Sequence, residues 1–224
     1  MLYPRVAAVA AALLLIALSS CKNDPKTAAA NEPSRPDTIR VEPVPTEGAR
    51  TYEVTEGTVY WLGKKAVGES HNGTIRVSGG ELSVNQGTLL SGQVRLDMNT
   101  IEVSDVQDPR ERAELESHLR DTEFFDAKNF PEATFSFDES LPSKTPNFNA
   151  VVTGQLTMKG KTNAVNIPLR LEINGDELRA ESPSFVINRT QWGVNFRSGV
   201  LGTAKDKLIE DVVPLSLKIK ARAK

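Results

Sequence analysis

Residues 165–173 read Val165-Asn166-Ile167-Pro168-Leu169-Arg170-Leu171-Glu172-Ile173, and this stretch sets the fold class. Apolar side chains occupy every second position, and the residues between them are polar apart from Pro168. A period of two belongs to an extended strand with one dry face. Asn174-Gly175 follows at once, and such a pair supplies the positive φ that a tight hairpin needs. Outward from here the pattern repeats. Val213, Leu215, Leu217 and Ile219 form a second stripe, Ile75 and Val77 a third, and Val94, Leu96 and Met98 a fourth. Ser78-Gly79-Gly80, Asn85-Gln86-Gly87 and Lys159-Gly160 read as the breaks between alternating runs. Strands joined by short turns predict an antiparallel meander. Pro168 and Pro214 have no N–H to give a ladder, so each belongs at an edge, a bulge or an unpaired point.

One segment departs from the pattern. Asp108 to Leu119 is charged and helix-prone, with Asp108 placed as N-cap, Pro109 at the first helical position, and Leu115 and Leu119 on one face. The expectation for residues 51–224 is one all-β domain with a short helix inserted near 109–120. A meander of this length either packs as a sandwich or closes as a barrel, and alternation alone does not choose. Closure removes exposed edges, and about eight strands leave an interior wide enough for side chains plus one small ligand.

The rest of the chain bounds its chemistry. Its 224 residues carry a formal charge of -2, so no basic excess points to a nucleic-acid partner. One cysteine excludes an intrachain disulfide, and with two histidines no metal site is expected. No glycine-rich phosphate loop and no G-x-S-x-G elbow occurs, so the chain does not read as an enzyme. Arg5 precedes an apolar run from Val6 to Leu18, which spans roughly 20 Å as a helix against a bilayer core of roughly 30 Å. Residues 1–20 therefore read as a secretory signal peptide. Leu18-Ser19-Ser20-Cys21 resembles a bacterial lipobox, which implies that Cys21 is acylated and anchors the mature chain to a membrane of the cell envelope, periplasmic or surface-facing. An uncleaved anchor and ordinary cleavage beside an incidental cysteine are the alternatives. Residues 21–50 hold Pro25, Pro33, Pro36, Pro43 and Pro45 with few large apolar residues, the composition of a tether.

The most distinctive stretch lies between 115 and 137. It reads Leu115-x-x-His118-Leu119, then Phe124-Phe125-Asp126, then Phe130-Pro131-Glu132-Ala133-Thr134-Phe135. This resembles the YceI-like family of bacterial periplasmic and secreted proteins. Three further matches flank it in order: Val59 to Lys64 continued by Gly68-x-x-His71-x-Gly73, Gly154 to Thr162 as G-x-L-T-x-K-G-x-T, and Phe185 to Val194 as F-x-I-x-R-T-x-W-G. In many relatives Asp precedes the arginine; Asn188 here removes that charge partner of Arg189. The resemblance runs from Thr51 to the C-terminus.

What the resemblance implies is a lipocalin-like antiparallel up-and-down β-barrel, with the helix near one end and an elongated apolar cavity. It further implies an isoprenoid lipid such as a quinone or polyprenyl chain, or another amphiphile, bound as ligand for carriage, storage or sequestration, with no cofactor. The candidate ligand-binding residues are Trp61, His71, His118, Phe124, Phe125, Phe130, Phe135, Arg189 and Trp192. Each has a plainer reading. The phenylalanines and Trp192 serve equally as core, and Trp61 as a cover on the barrel. His118 serves as a cap or a hydrogen bond to the sheet, and Arg189 as a structural cation that needs a partner if buried. Lys159, in a hairpin turn, reads as solvated. The competing function is an envelope structural or interaction domain with a fully packed interior. A homodimer stays open.

Overall fold

The computed structural model describes residues 46–224. The expected signal peptide, Cys21 and the expected tether before residue 46 lie outside the described residues. Ten strands and one helix follow in chain order: β1 (Arg50–Lys64), β2 (Ser70–Asn85), β3 (Thr88–Val103), α1 (Pro109–Arg120), β4 (Glu132–Phe137), β5 (Ser140–Pro142), β6 (Ala150–Met158), β7 (Lys161–Asn174), β8 (Glu177–Glu181), β9 (Phe185–Asn188) and β10 (Val212–Ala223). Eight of them form a ring in the order β1-β2-β3-β4-β6-β7-β8-β10, and β10 pairs back onto β1. Every pairing is antiparallel. β5 runs beside β6 after β4 leaves it, and β9 beside β10 after β8 leaves it. The described residues form a closed barrel, not a sandwich.

The stripes become its inner wall. In β7, Val165, Ile167, Leu169 and Leu171 are buried while Asn166, Arg170 and Glu172 are exposed. Gln86-Gly87 (φ 49° and 79°) and Lys159-Gly160 (φ 49° and 71°) make the two-residue turns that positive φ allows. Ser78-Gly79-Gly80 is different, and here the turn expectation is corrected: these residues lie inside β2, where the register with β3 shifts between Val77 and Gly79. A Cβ on Gly80 would sit 2.3 Å from the Gln93 carbonyl oxygen. The glycines let the strand bulge and press against its neighbour. A bulge and a turn interrupt alternation in the same way, which is why the two look alike in sequence.

The prolines sit where pairing lapses. Among the described residues β7 pairs with β8 only from Arg170 onward, so Pro168 has a strand on one side alone. Pro214 lies one residue past the last pair between β10 and β1, Trp61 with Leu215. Asp108 caps α1 by accepting from the backbone N–H of Arg110 (2.7 Å) and Glu111 (3.1 Å). The helix then docks on the end of β3: Arg120 Nη1 donates to the Ile101 carbonyl at 3.0 Å, and the Val103 N–H donates to Glu116 at 3.0 Å. Leu119 is thereby buried over one end of the barrel. Tyr52, at the other end, is buried with its hydroxyl on the Gly175 carbonyl at 3.1 Å.

If Gly80 is required for the close approach of β2 to β3, Gly80→Ala lowers the unfolding free energy by about 1–3 kcal/mol. Urea unfolding of both proteins checks this; an unchanged midpoint contradicts it.

Candidate functional site

The inner wall does not fill the barrel. Two apolar cavities lie end to end. The one nearer the Tyr52 end has a volume of about 90 Å³ and is bounded by Val77, Leu82, Leu89, Phe137, Val152 and Ile219 among others. The one beneath α1 has a volume of about 120 Å³ and is bounded by Trp61, Met98, Leu119, Phe124, Phe125 and Ile187 among others. Val59, Leu96, Leu156 and Leu215 line both, so the two halves share a waist. No polar atom faces either space.

Beyond the second cavity, toward solvent, lies a vestibule of about 310 Å³. It shares Trp61, Gly63, Leu119, Phe124 and Ile209 with the cavity beneath it. To these it adds His71, His118, Lys65, Glu69 and Arg197. Polarity therefore rises along one axis, from two apolar cavities to a mouth with both imidazoles.

Each mouth residue is placed by the strand or helix that carries it. His71 alternates inward on β2 with Gly73 and Ile75, and its Nδ1 lies 3.2 Å from the Asp105 carboxylate. Asp105 also accepts from the Asn72 N–H at 3.1 Å, which holds it beside the imidazole. His118 occupies the last turn of α1, edge-on to Phe124 (5.1 Å) and Phe196 (4.8 Å), with Glu123 3.9 Å from its Nδ1. Trp61 stands opposite Gly73 across the β1–β2 ladder. A Cβ on Gly73 would fall 1.8 Å from the Glu102 carbonyl oxygen and 2.6 Å from the Trp61 ring. The second glycine of the G-x-x-H-x-G segment thus makes room for the indole. The Trp61 Nε1 is buried with no hydrogen-bond partner among the described residues.

The structure brings Trp61, His71, His118 and Phe124 together at the mouth, with Phe125 below them and Phe135 deeper, on the first cavity. Phe130 lines none of these spaces; it packs 3.0 Å from where a Cβ of Gly160 would lie, on the β6–β7 hairpin. Trp192 is buried in the wall with its Nε1 donating to the Leu156 carbonyl at 2.9 Å. Arg189 borders the second cavity, but its donors go to the protein: the carbonyls of Glu210 (3.1 Å), Val194 (2.7 Å) and Ile209 (3.0 Å), and Asp211 (3.1 Å). Burial lowers its pKa from the ordinary value and the Asp211 charge works the other way. Asn188 takes a different job, capping the 3-10 turn Arg189–Trp192 by accepting from the Thr190 N–H at 3.0 Å. Asp211 supplies the charge that an Asp at 188 would have brought.

Lys159 is not solvated as its turn position suggests. Its ammonium donates to the carbonyls of Thr122 (2.8 Å) and Phe124 (2.6 Å), and burial lowers its pKa. It pins the segment that carries Phe124 to the hairpin below. Sequence reasoning passed over Phe196 and Arg197, since their loop has no periodicity. Arg197 lies over the Phe196 ring at 5.0 Å, and both line the vestibule.

Known proteins share this architecture. A model of the YceI-like domain matches residues 52–221. Protein YceI of Salmonella arizonae is 30% identical over 105 residues, 47% of this chain and 51% of that protein. The chain thus spans about half the length of the curated relatives it matches. Among solved structures, BcnA of Burkholderia cenocepacia superposes with a TM-score of 0.57 at 22% identity, covering 73% of this chain and 95% of that one. A polyisoprenoid binding domain from Saccharophagus degradans gives 0.55 at 11% identity, covering 77% and 98%. At these identities the two structures show likeness of fold.

Replacing Arg189 with methionine leaves three carbonyls and Asp211 without their donor. Arg189→Met is expected to cost about 2–4 kcal/mol of stability. Denaturant unfolding measures this, and a loss under about 0.5 kcal/mol, the scale of an ordinary surface change, contradicts it.

Proposed function

The chain belongs to the YceI-like family, and on that premise we propose that it is a binding protein that holds an amphiphilic lipid or isoprenoid, quinone-like or polyprenyl, inside its barrel. The observation that carries this reading is the pair of apolar cavities set end to end as a tunnel with a shared waist, next to a vestibule with two imidazoles and Arg197. An apolar chain gains about 25 cal/mol for each Å² it buries. The tunnel offers such a chain hydrocarbon on all sides, and the vestibule offers hydrogen-bonding groups to a polar head. Left empty, cavities of these volumes cost about 2 and about 3 kcal/mol. A domain selected only for a packed interior has no reason to carry that cost, which weighs against the structural reading. The polyisoprenoid-binding description of the Saccharophagus degradans domain supports the ligand class. The role is carriage, storage or sequestration, and no reaction is assigned.

We further propose that Cys21 is acylated and that residues 21–50 tether the barrel to an envelope membrane. The lipobox-like Leu18-Ser19-Ser20-Cys21 behind a short apolar run supports this. Several acyl chains give a durable anchor, at roughly 0.8 kcal/mol per buried methylene.

The waist supplies the test of binding. Leu215→Trp fills the neck shared by the two cavities without adding a polar group. Organic extraction of the purified wild-type protein followed by mass spectrometry is expected to yield an isoprenoid, and the variant to yield at most about a tenth as much. Absence of any amphiphile from the wild-type protein, with no uptake of added quinone, overturns the reading.

For the anchor, Cys21→Ser is expected to move the protein out of the membrane fraction, or to leave it with an uncleaved leader. Normal processing with retained membrane attachment contradicts the lipobox assignment.

A further inference from the structure

Two loops form one side of the vestibule mouth, and they are joined. The β1–β2 loop meets the segment before β10 through the Lys65–Ile209 bridge and the Ala66 N–H on the Leu208 carbonyl at 2.9 Å. That segment is tied in turn to the vestibule wall, since the Ile209 N–H donates to the Arg197 carbonyl at 2.9 Å. A Cβ on Gly199 would touch Leu208 at 3.2 Å, so the 3-10 turn Gly199–Leu201 packs on the same segment. The outer surface of this joined rim carries Val67, Val200 and Leu201, 56%, 72% and 67% exposed. These are among the most exposed large apolar residues described, and aliphatic tips held in water on ordered turns mark an interaction surface.

The segments that carry the tips also carry cations. Lys64, Arg197, Lys205 and Lys207 are exposed, and Lys65 reaches the same rim, where it pairs with Glu69. Asp206 and Glu210 are the other exposed carboxylates of the two loops, so the rim keeps a positive excess. The helix α1 borders the same vestibule but is balanced, with Glu111, Glu114 and Glu116 against Arg110, Arg112 and Arg120, so the excess of positive charge at this mouth lies on the loops.

We propose that this rim is a docking surface for a lipid bilayer with anionic head groups, with Val67, Val200 and Leu201 entering the interface and the cations meeting the head groups. Apolar tips gain by burial at the acyl boundary, and each cation near an anionic leaflet adds to the attraction. The loop that presents Val200 and Leu201 outward is the loop whose Phe196 and Arg197 line the mouth. Docking there sets the tunnel entrance against the bilayer. The use of this contact rests on the binding role proposed above; the contact itself does not.

Residues 46–224 close their own ring around their own core, so that fragment, free of Cys21, is the test protein. Its sedimentation with phosphatidylglycerol vesicles is compared with that on phosphatidylcholine vesicles, at low and high salt. The expected result is binding to the anionic vesicles that weakens with salt and falls at least about tenfold in the combined Val67→Ser, Val200→Ser and Leu201→Ser variant. Extraction of that variant is expected to yield the same isoprenoid content as the parent fragment. No sedimentation with anionic vesicles, or sedimentation that the triple variant leaves unchanged, overturns the proposal. So does self-association of the parent fragment that the triple variant abolishes, because a second copy then covers the rim. If the parent yields no amphiphile and takes up no added quinone but docks as described, the binding role fails and the docking surface stands.

Discussion

The ladder between β1 and β10 joins the first and last strands of the barrel, from Tyr52 opposite Ala223 to Trp61 opposite Leu215. Every other feature depends on it. With the ladder formed, both terminal strands lose a free edge and each inward residue faces hydrocarbon on all sides. The ring can close only after nearly the whole domain has been threaded between its two partners, so the contact is among the most non-local in the fold and carries a corresponding loop-closure cost. That cost is met by the collective burial of the inner stripes, since the backbone bonds of the ladder only replace bonds to water.

Closure also decides where chemistry can occur. A sandwich of the same strands would press two faces together and leave little space. A ring of eight strands keeps its opposite walls apart, and the side chains here stop short of filling the gap. The two cavities and their waist follow from that geometry. Helix α1 covers one end without sealing it, because its bonds run to β3 while the opposite rim belongs to the loops around residues 65 and 197. The mouth is thus bordered by a helix on one side and loops on the other. The polar groups gather there because that part of the inner surface meets water.

Much of this was legible in the chain. The period-two stripes of β7 and β10, the Asp108 cap with Pro109 and the hairpins at Gln86-Gly87 and Lys159-Gly160 are local signals, read within a few residues of one another. What the chain does not show by itself is non-local or ambiguous. Gly79-Gly80 breaks alternation as a turn would, and only the Gln93 carbonyl on the neighbouring strand shows it to be a bulge. Lys159 finds its partners in a segment more than 30 residues earlier, and Arg189 finds Asp211 on the far side of an irregular loop. Of the candidate binding residues, the aromatic and histidine positions around Trp61, His118 and Phe124 converge on one mouth, while Phe130 and Trp192 spend their surface on packing. Alternation tells which way a side chain points, but not whether empty space or a neighbour lies in front of it. Phe196 and Arg197 carry no such signal, because an aperiodic loop reveals neither.

The proposed binding mode is directional: a polar head at the vestibule and an apolar tail reaching through the waist toward Tyr52. Methyl NMR of the protein with an isoprenoid quinone carrying a nitroxide at the end of its tail measures this directly. The expected result is strong broadening of the methyls of Leu82, Leu89 and Val152 in the far cavity, with Val67 and Val200 at the rim unaffected. Broadening confined to the rim, or spread over the outer surface, would contradict it.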